Sequence, residues 1–299
     1  MKPHHALHFR RLILLSAVGL VASLSAASPA VAAGPSAASS AARPLNISTR
    51  MQIGAGDDVL IGGFVIDGTA PKRVILRAIG PSLSAAGIAN PLADPFMELH
   101  ASDRSLITTN DNWKDSAAAD IEATGLAPTN VLESAIIITL DPGTYTVIVR
   151  GKDGATGVGM VEVYEVGQSA GSQLDNLSAR GRVGTGSNVM VGGFVLGGGD
   201  GNARLLIRAL GPSLAPSGLQ NVLADPTLEL RDENGAVVSR NDNWRLSPQA
   251  SAIEASGLQP SNDLEPAILE TLAPGAYTAV VSGQAGLTGI ALLDVYRLP

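Results

Sequence analysis

Short runs of alternating apolar and polar residues, punctuated by Gly, Pro, Asn and Asp, fill the chain beyond Leu45. Thr144-Tyr145-Thr146-Val147-Ile148-Val149 alternates with the two-residue period of a half-buried strand. Asp141-Pro142-Gly143 ahead of it carries turn chemistry, proline at the second position with glycine following. Leu228-Glu229-Leu230 and Val237-Val238-Ser239 flank Asp232-Glu233-Asn234-Gly235, whose Asn-Gly step signals a hairpin. The segment from Val59 to Ile66 reads as a strand broken or bulged at the paired glycines Gly62 and Gly63. The pattern predicts strands over 46–53, 58–66, 72–79, 95–100, 105–110, 132–140, 143–150 and 157–166, and the same set again further along. One short helix interrupts each set, over 117–123 before Gly125 and over 248–255 before Gly257. Asp115, Ser116 or Ser247 would cap its start, Pro248 suits the first turn, and the glycine suits the end.

The second set is a copy of the first. Asn46-Ile47-Ser48-Thr49-Arg50 answers Asn176-Leu177-Ser178-Ala179-Arg180, and Ile61-Gly62-Gly63-Phe64-Val65 answers Val191-Gly192-Gly193-Phe194-Val195, at an offset of 130. Arg77-Ala78-Ile79-Gly80-Pro81-Ser82-Leu83 and Asn110-Asp111-Asn112-Trp113 recur at 131, and Pro142-Gly143-Thr144-Tyr145 recurs at 132. The offset drifts only in loop-like stretches, where insertions are tolerated. The period exceeds that of a solenoid unit, so each copy reads as a whole domain and the pair as beads on a string. The expected fold is all-β: two tandem antiparallel β-sandwich domains of jelly-roll type, each with one short helix. The expected layout is a signal peptide over 1–32, a flexible Ala/Ser/Pro-rich linker over 33–44, one repeat over 45–167 and the other over 174–299.

Lys2, Arg10 and Arg11 precede an apolar run from Leu12 to Ala27 and the small residues Ala30-Val31-Ala32, the pattern of a cleaved secretory leader. Its loss leaves 17 basic against 27 acidic residues. That acidity disfavours nucleic acid and anionic membranes as partners. The chain has no cysteine, so disulfides and thiol chemistry are excluded and each domain rests on its core. No apolar anchor follows Tyr296-Arg297-Leu298-Pro299, so the mature protein is expected to be released or held non-covalently, secreted, periplasmic or at the cell surface.

Three stretches carry a family resemblance: Leu228 to Gly235, Asn241-Asp242-Asn243, and Leu272-Ala273-Pro274-Gly275-Ala276-Tyr277 running on to Gly283. Together they resemble the bacterial pre-peptidase C-terminal domain and its relatives, over the second half of each repeat. The whole repeat also resembles a module of large exported proteins of verrucomicrobial-type bacteria. The resemblance implies a secreted β-sandwich of the kind attached to enzymes or surface proteins, some of which bind matrix or calcium. The protease that accompanies the first family has no counterpart in this sequence.

The candidate chemistry is sparse. Asp111 and Asp242 sit in oxygen-rich Asn-Asp-Asn triplets and are the candidate calcium ligands, calcium being the one cofactor considered. Calcium takes six to eight oxygens, so Asp57, Asp58 or Asp103 would have to join. The competing reading is a turn that sets Trp113 or Trp244 as a lid on the core. Arg77 and Arg208 lie in apolar strands and call for carboxylate partners, with Glu133 and Glu265 or Asp94 and Asp225 as candidates. Gly54-Ala55-Gly56 and Gly184-Thr185-Gly186 lack the helix and Lys-Ser/Thr of a phosphate loop and read as turns. One histidine, His100, remains after the leader. Glu98/Glu229, Glu122/Glu254 and Glu133/Glu265 are the acids a carboxylate-based hydrolase would use. The sequence therefore points to a non-catalytic exported binding or structural module with an extracellular ligand, glycan or matrix protein, and no membrane insertion once the leader is gone. The alternatives are a carboxylate-based extracellular hydrolase and an accessory domain pair of a larger surface protein.

Overall fold

A computed structural model of the chain describes residues 41–56, 58–167 and 171–299. The expected leader, and the expected linker up to residue 40, lie outside the described residues. In the first repeat the strands are β1 (Arg43–Ile53), β2 (Leu60–Gly68), β3 (Lys72–Ile79), β4 (Pro95–His100), β5 (Leu106–Asn110), β6 (Ser134–Leu140), β7 (Gly143–Gly151) and β8 (Gly157–Glu165). The second repeat follows with β9 (Ser172–Val183), β10 (Met190–Gly197), β11 (Ala203–Leu210), β12 (Pro226–Arg231), β13 (Val237–Asn241), β14 (Ala267–Leu272), β15 (Gly275–Gly283) and β16 (Gly289–Leu298). The fold is all-β, and every strand pairing is antiparallel. β3 and β4 occupy the spans expected from the pattern; β1 begins at Arg43, inside the expected linker.

Strand pairing resolves into two runs of eight, β5-β4-β7-β2-β9-β16-β11-β14 and β13-β12-β15-β10-β1-β8-β3-β6. They touch where Gln52 of β1 pairs with Arg182 of β9. Each run takes four strands from each repeat. The repeats are therefore not beads on a string: β1 is bonded on one side to β8 of its own repeat and on the other to β10 of the second. β9 likewise lies between β16 and β2. The described residues of both repeats form one compact unit.

The bulge expected at Gly62-Gly63 lies elsewhere. β2 runs unbroken through both glycines, and the register slips opposite Val65, on the β9 side, with the matching slip at Leu45 on β1. The burial pattern of each strand skips one beat there, at Leu45-Asn46 and at Asp175-Asn176. Inward-facing residues then build one continuous core from both repeats, including Ile47, Phe64, Leu76 and Val163 beside Leu177, Phe194, Leu205 and Leu293. Phe64 stacks on Tyr145 at 5.5 Å between centroids, and Phe194 on Tyr277 at 5.8 Å. With few aromatics, these stacks occupy equivalent places in both halves.

Helices α1 (Ala118–Ala123) and α2 (Ala250–Ala255) lie apart from this core. Each covers a smaller apolar cluster, Ile75, Trp113, Ile121 and Ala135 in one repeat and Leu206, Trp244, Ile253, Ala267 and Leu269 in the other. The tryptophans are thus lids on these satellite clusters rather than on the main core. In the first repeat the expected Asp115 and Ser116 caps are absent: Ala117 occupies the N-cap position without a side-chain bond, and Ser116 instead accepts a bond from Asn110. In the second, α2 proper starts after Gln249, and the Ser247 hydroxyl accepts from the Gln249 amide at 3.1 Å in the turn ahead of it. Gly125 and Gly257 do end the helices, at φ of 72° and 71°, where a side chain would be strained. Among the described residues no helix is long and apolar enough to cross a membrane.

Candidate functional site

Arg77 stands on β3 with its guanidinium on the outer face, away from the sandwich core. It pairs with Glu162 of β8, donates to the Leu126 carbonyl at 2.7 Å and lies over the Tyr164 ring at 5.1 Å. Arg208 repeats the arrangement with Asp294 at 2.9 Å, the Leu258 carbonyl at 2.5 Å and the Tyr296 ring at 5.0 Å. The partners are thus Glu162 and Asp294, and not Glu133, Glu265, Asp94 or Asp225. The cause is register: Arg77 faces Glu162 across the β3–β8 ladder, and Arg208 faces Asp294 across β11–β16. Burial acts to lower the Arg77 pKa, but the charges and hydrogen bonds of Glu162 and Tyr164 together outweigh it and raise it. For Asp294 burial wins over the attraction of Arg208, and its carboxyl is pushed up. Burial, then the Glu162 charge, pushes the Tyr164 hydroxyl well above its usual range.

The Asn-Asp-Asn triplets act as turns. Asn110 Oδ1 accepts from the Ala135 amide at 2.8 Å and its Nδ2 donates to the Asn112 carbonyl at 3.1 Å. Asn241 does the same with Ala267 and Asn243, at 2.9 and 3.2 Å. The turn delivers the next residue, so that the Trp113 amide bonds the Glu133 carbonyl at 2.9 Å and the Trp244 amide bonds that of Glu265 at 3.0 Å.

Asp111 and Asp242 have different neighbours. The Lys152 ammonium sits 2.5 Å from Asp111. In the second repeat Gln284 takes its place, 3.4 Å from Asp242. Burial, then the charge of Asp225, raises the Asp242 pKa; burial, then Asp111, raises that of Asp94. Oδ1 atoms of Asp94, Asp111, Asp225 and Asp242 are buried without a hydrogen-bond partner. The further oxygen donors considered from sequence do not converge here. Asp58 lies 3.8 Å from Arg182, Asp103 accepts from Ser105, and Asp57 falls outside the described residues.

Glu133 and Glu265 are fully buried. Glu133 accepts from the amides of Gly80 and Ser82 at 3.1 and 2.9 Å and from the Ser82 hydroxyl. Glu265 accepts from the amides of Gly211 and Ser213, both at 2.8 Å, and from the Ser213 hydroxyl. The Gly-Pro-Ser-Leu repeats are thus loops folded around a buried carboxylate, with hydrogen bonds compensating its desolvation. Gly80 and Gly211 are glycines because a Cβ would collide with the carbonyls of Leu92 and Leu223. Glu98 is held by His100 at 3.0 Å and Arg150 at 3.1 Å, while Glu229 pairs with Arg231 and Arg240. Glu122 and Glu254 are exposed on their helices.

One cluster escaped the sequence reading. Lys72, 1% exposed, pairs with Glu165 at 2.8 Å and donates to the Ser172 carbonyl at 3.0 Å, while Glu165 also pairs with Arg43 and accepts from the Leu174 amide. It fastens β1, β3 and β8 to the start of β9. The second repeat has Ala203 and Arg297 at the positions of Lys72 and Glu165. The signal was a lysine opening an apolar strand in one copy only.

No family model and no curated protein matches the chain. Among solved structures it is similar to a DUF4785 family protein from Legionella pneumophila subsp. pneumophila str. Philadelphia 1, at 8% identity over 88% of each chain with a TM-score of 0.23. Likeness at that level carries no argument about fold or function.

Proposed function

We propose that this protein is an exported, non-catalytic binding or structural module of the cell envelope or extracellular space, related to the secreted β-sandwich modules its repeat resembles. The observation behind this reading is how its acids are used. Glu133 and Glu265 are committed to backbone amides, Glu162 and Asp294 to arginines within the fold, and Glu98 and Glu229 to neighbouring cations. A hydrolase would need a pair of carboxylates free to face a substrate. The ligand class that fits the proposal is an extracellular glycan or matrix protein bound on the sheet surfaces.

The test is a glycan-array and matrix-protein screen of the purified mature chain, with turnover assayed in parallel. It is run with and without calcium, since Asp225 and Asp242 carry buried oxygens lacking partners. Saturable binding without turnover is the expected result. Turnover abolished by a single Glu or Asp substitution would replace this reading with that of a carboxylate hydrolase.

A further inference from the structure

The two repeats meet along a seam with the symmetry of a protein dimer. On one side Asn46 faces Val195, Ser48 faces Gly193 and Arg50 faces Val191. On the other Gly63 faces Ser178 and Ile61 faces Arg180. Serine of the first strand thus meets glycine of the second strand twice, once in each direction. That reciprocity defines an isologous contact, in which residue i meets j and j meets i. The bulges at Leu45 and Asp175 obey the same symmetry.

The seam is deeply bonded. Each side has seven partner pairs between strands of different repeats. The Asn46 side chain accepts from the Val195 amide at 3.0 Å. Behind the ladders, Ile47 and Met51 of β1 share one core with Leu177, Ala179 and Phe194 of the second repeat. A repeat taken alone would present the bonding edges of its first two strands unpaired, an open template for another chain.

We infer that this seam is a protomer–protomer interface closed within one chain, and that each repeat also fits the opposite repeat of a second copy of the protein. Repeat one of one copy would close with repeat two of another, giving a strand-exchanged dimer. That dimer reproduces every strand pairing of the monomer and differs only where the chain passes from Glu165 to Ser172. The balance is then set by concentration. A short link holds its own partner at an effective concentration on the order of millimolar. Closure within one chain wins in dilute protein, and exchange competes when the chain folds at comparable concentration.

Two measurements on the full mature chain test this. In the first, residues 168–170 are replaced by a protease recognition sequence and the folded protein is cut. The halves are expected to stay together as one particle of unchanged mass and to unfold in one transition. In the second, two differently tagged intact chains are unfolded together and refolded from micromolar up to millimolar concentration. Doubly tagged dimers are expected to rise with refolding concentration and to persist on dilution. Gly193→Val, which pushes against Ser48 in the closed monomer and the exchanged dimer alike, is expected to destabilise both and to leave their ratio unchanged. Separation of the cut halves as folded species would overturn the interface, and absence of doubly tagged dimer at every concentration would overturn the second-copy partner.

Discussion

Ser48 of the first repeat stands directly against Gly193 of the second: a Cβ on the glycine would lie 2.7 Å from the serine Oγ. Ser178 and Gly63 form the reciprocal pair. The glycine is required by the serine and not by its own backbone, because no positive φ occurs at either position. Gly193→Ala should therefore destabilise the chain, by about 1 kcal/mol, the low end for overpacking. In a Ser48→Ala background the same change should become neutral or stabilising, since alanine outperforms glycine in a strand interior by roughly 0.5–1 kcal/mol. Urea unfolding of the four proteins of this cycle measures the coupling; additive effects would show that the two residues do not meet.

Arg208 is the partner that makes the buried Asp294 tolerable. Arg208→Ala leaves that carboxylate in place without its charge or its hydrogen bond, which should cost roughly 3–5 kcal/mol. Arg208→Met with Asp294→Leu should recover most of the loss, because desolvated charges are replaced by packing. As β9 and β10 carry the second repeat into both eight-stranded runs, the single mutant should lower one cooperative transition for the whole chain. Two separate melting steps in calorimetry would contradict the interlocked fold.

Asp242 should weaken the protein at neutral pH. Burial and Asp225 raise its folded pKa above the unfolded value, so the folded state binds this proton more tightly. The associated stability is present at low pH and is lost as pH rises through the carboxylate range. Asp242→Asn is thus expected to raise the melting temperature at pH 7, with the gain shrinking as the medium is acidified toward pH ~4. Gln284→Lys should give a similar gain by supplying the cation that Lys152 provides beside Asp111. Thermal scans across pH check both, and a gain that grows on acidification would refute the assignment.

The two tryptophans should respond differently to Phe. Trp113 Nε1 donates to the Asn130 carbonyl at 3.1 Å, whereas Trp244 Nε1 is buried without a partner. Trp113→Phe removes a made hydrogen bond, worth about 1 kcal/mol; Trp244→Phe removes an unsatisfied donor. The first should lose more stability in denaturant unfolding, although both sites keep their aromatic packing.

Much of the local structure is legible before folding is considered. The alternation in Thr144–Val149, the Asp-Pro-Gly turn and the Asn-Gly hairpin depend on neighbours in sequence, and β7, β12 and β13 form where those signals lie. Gly125 and Gly257 end their helices for an equally local reason, a left-handed backbone. The partners of Arg77 and Arg208 were not legible. Glu162 and Asp294 lie 85 and 86 residues away, and only strand register selects them over other acids. Glu133 and Glu265 looked like ion-pair acids because sequence shows a charge but not the loop amides that surround it.

The chain by itself determined the periodicity, the duplication and the turns, because each depends on side-chain pattern or on backbone chemistry over a few residues. It also required an all-β answer from short alternating runs and an aliphatic core. Only the tertiary structure decided which strand lies beside which. Two equivalent repeats offer each first strand a choice between closing on its own second strand and crossing to the other repeat's, and both choices satisfy the same alternation. The paired glycines show which was taken: Gly63 clears Ser178 and Gly193 clears Ser48, so the fold is one interleaved body.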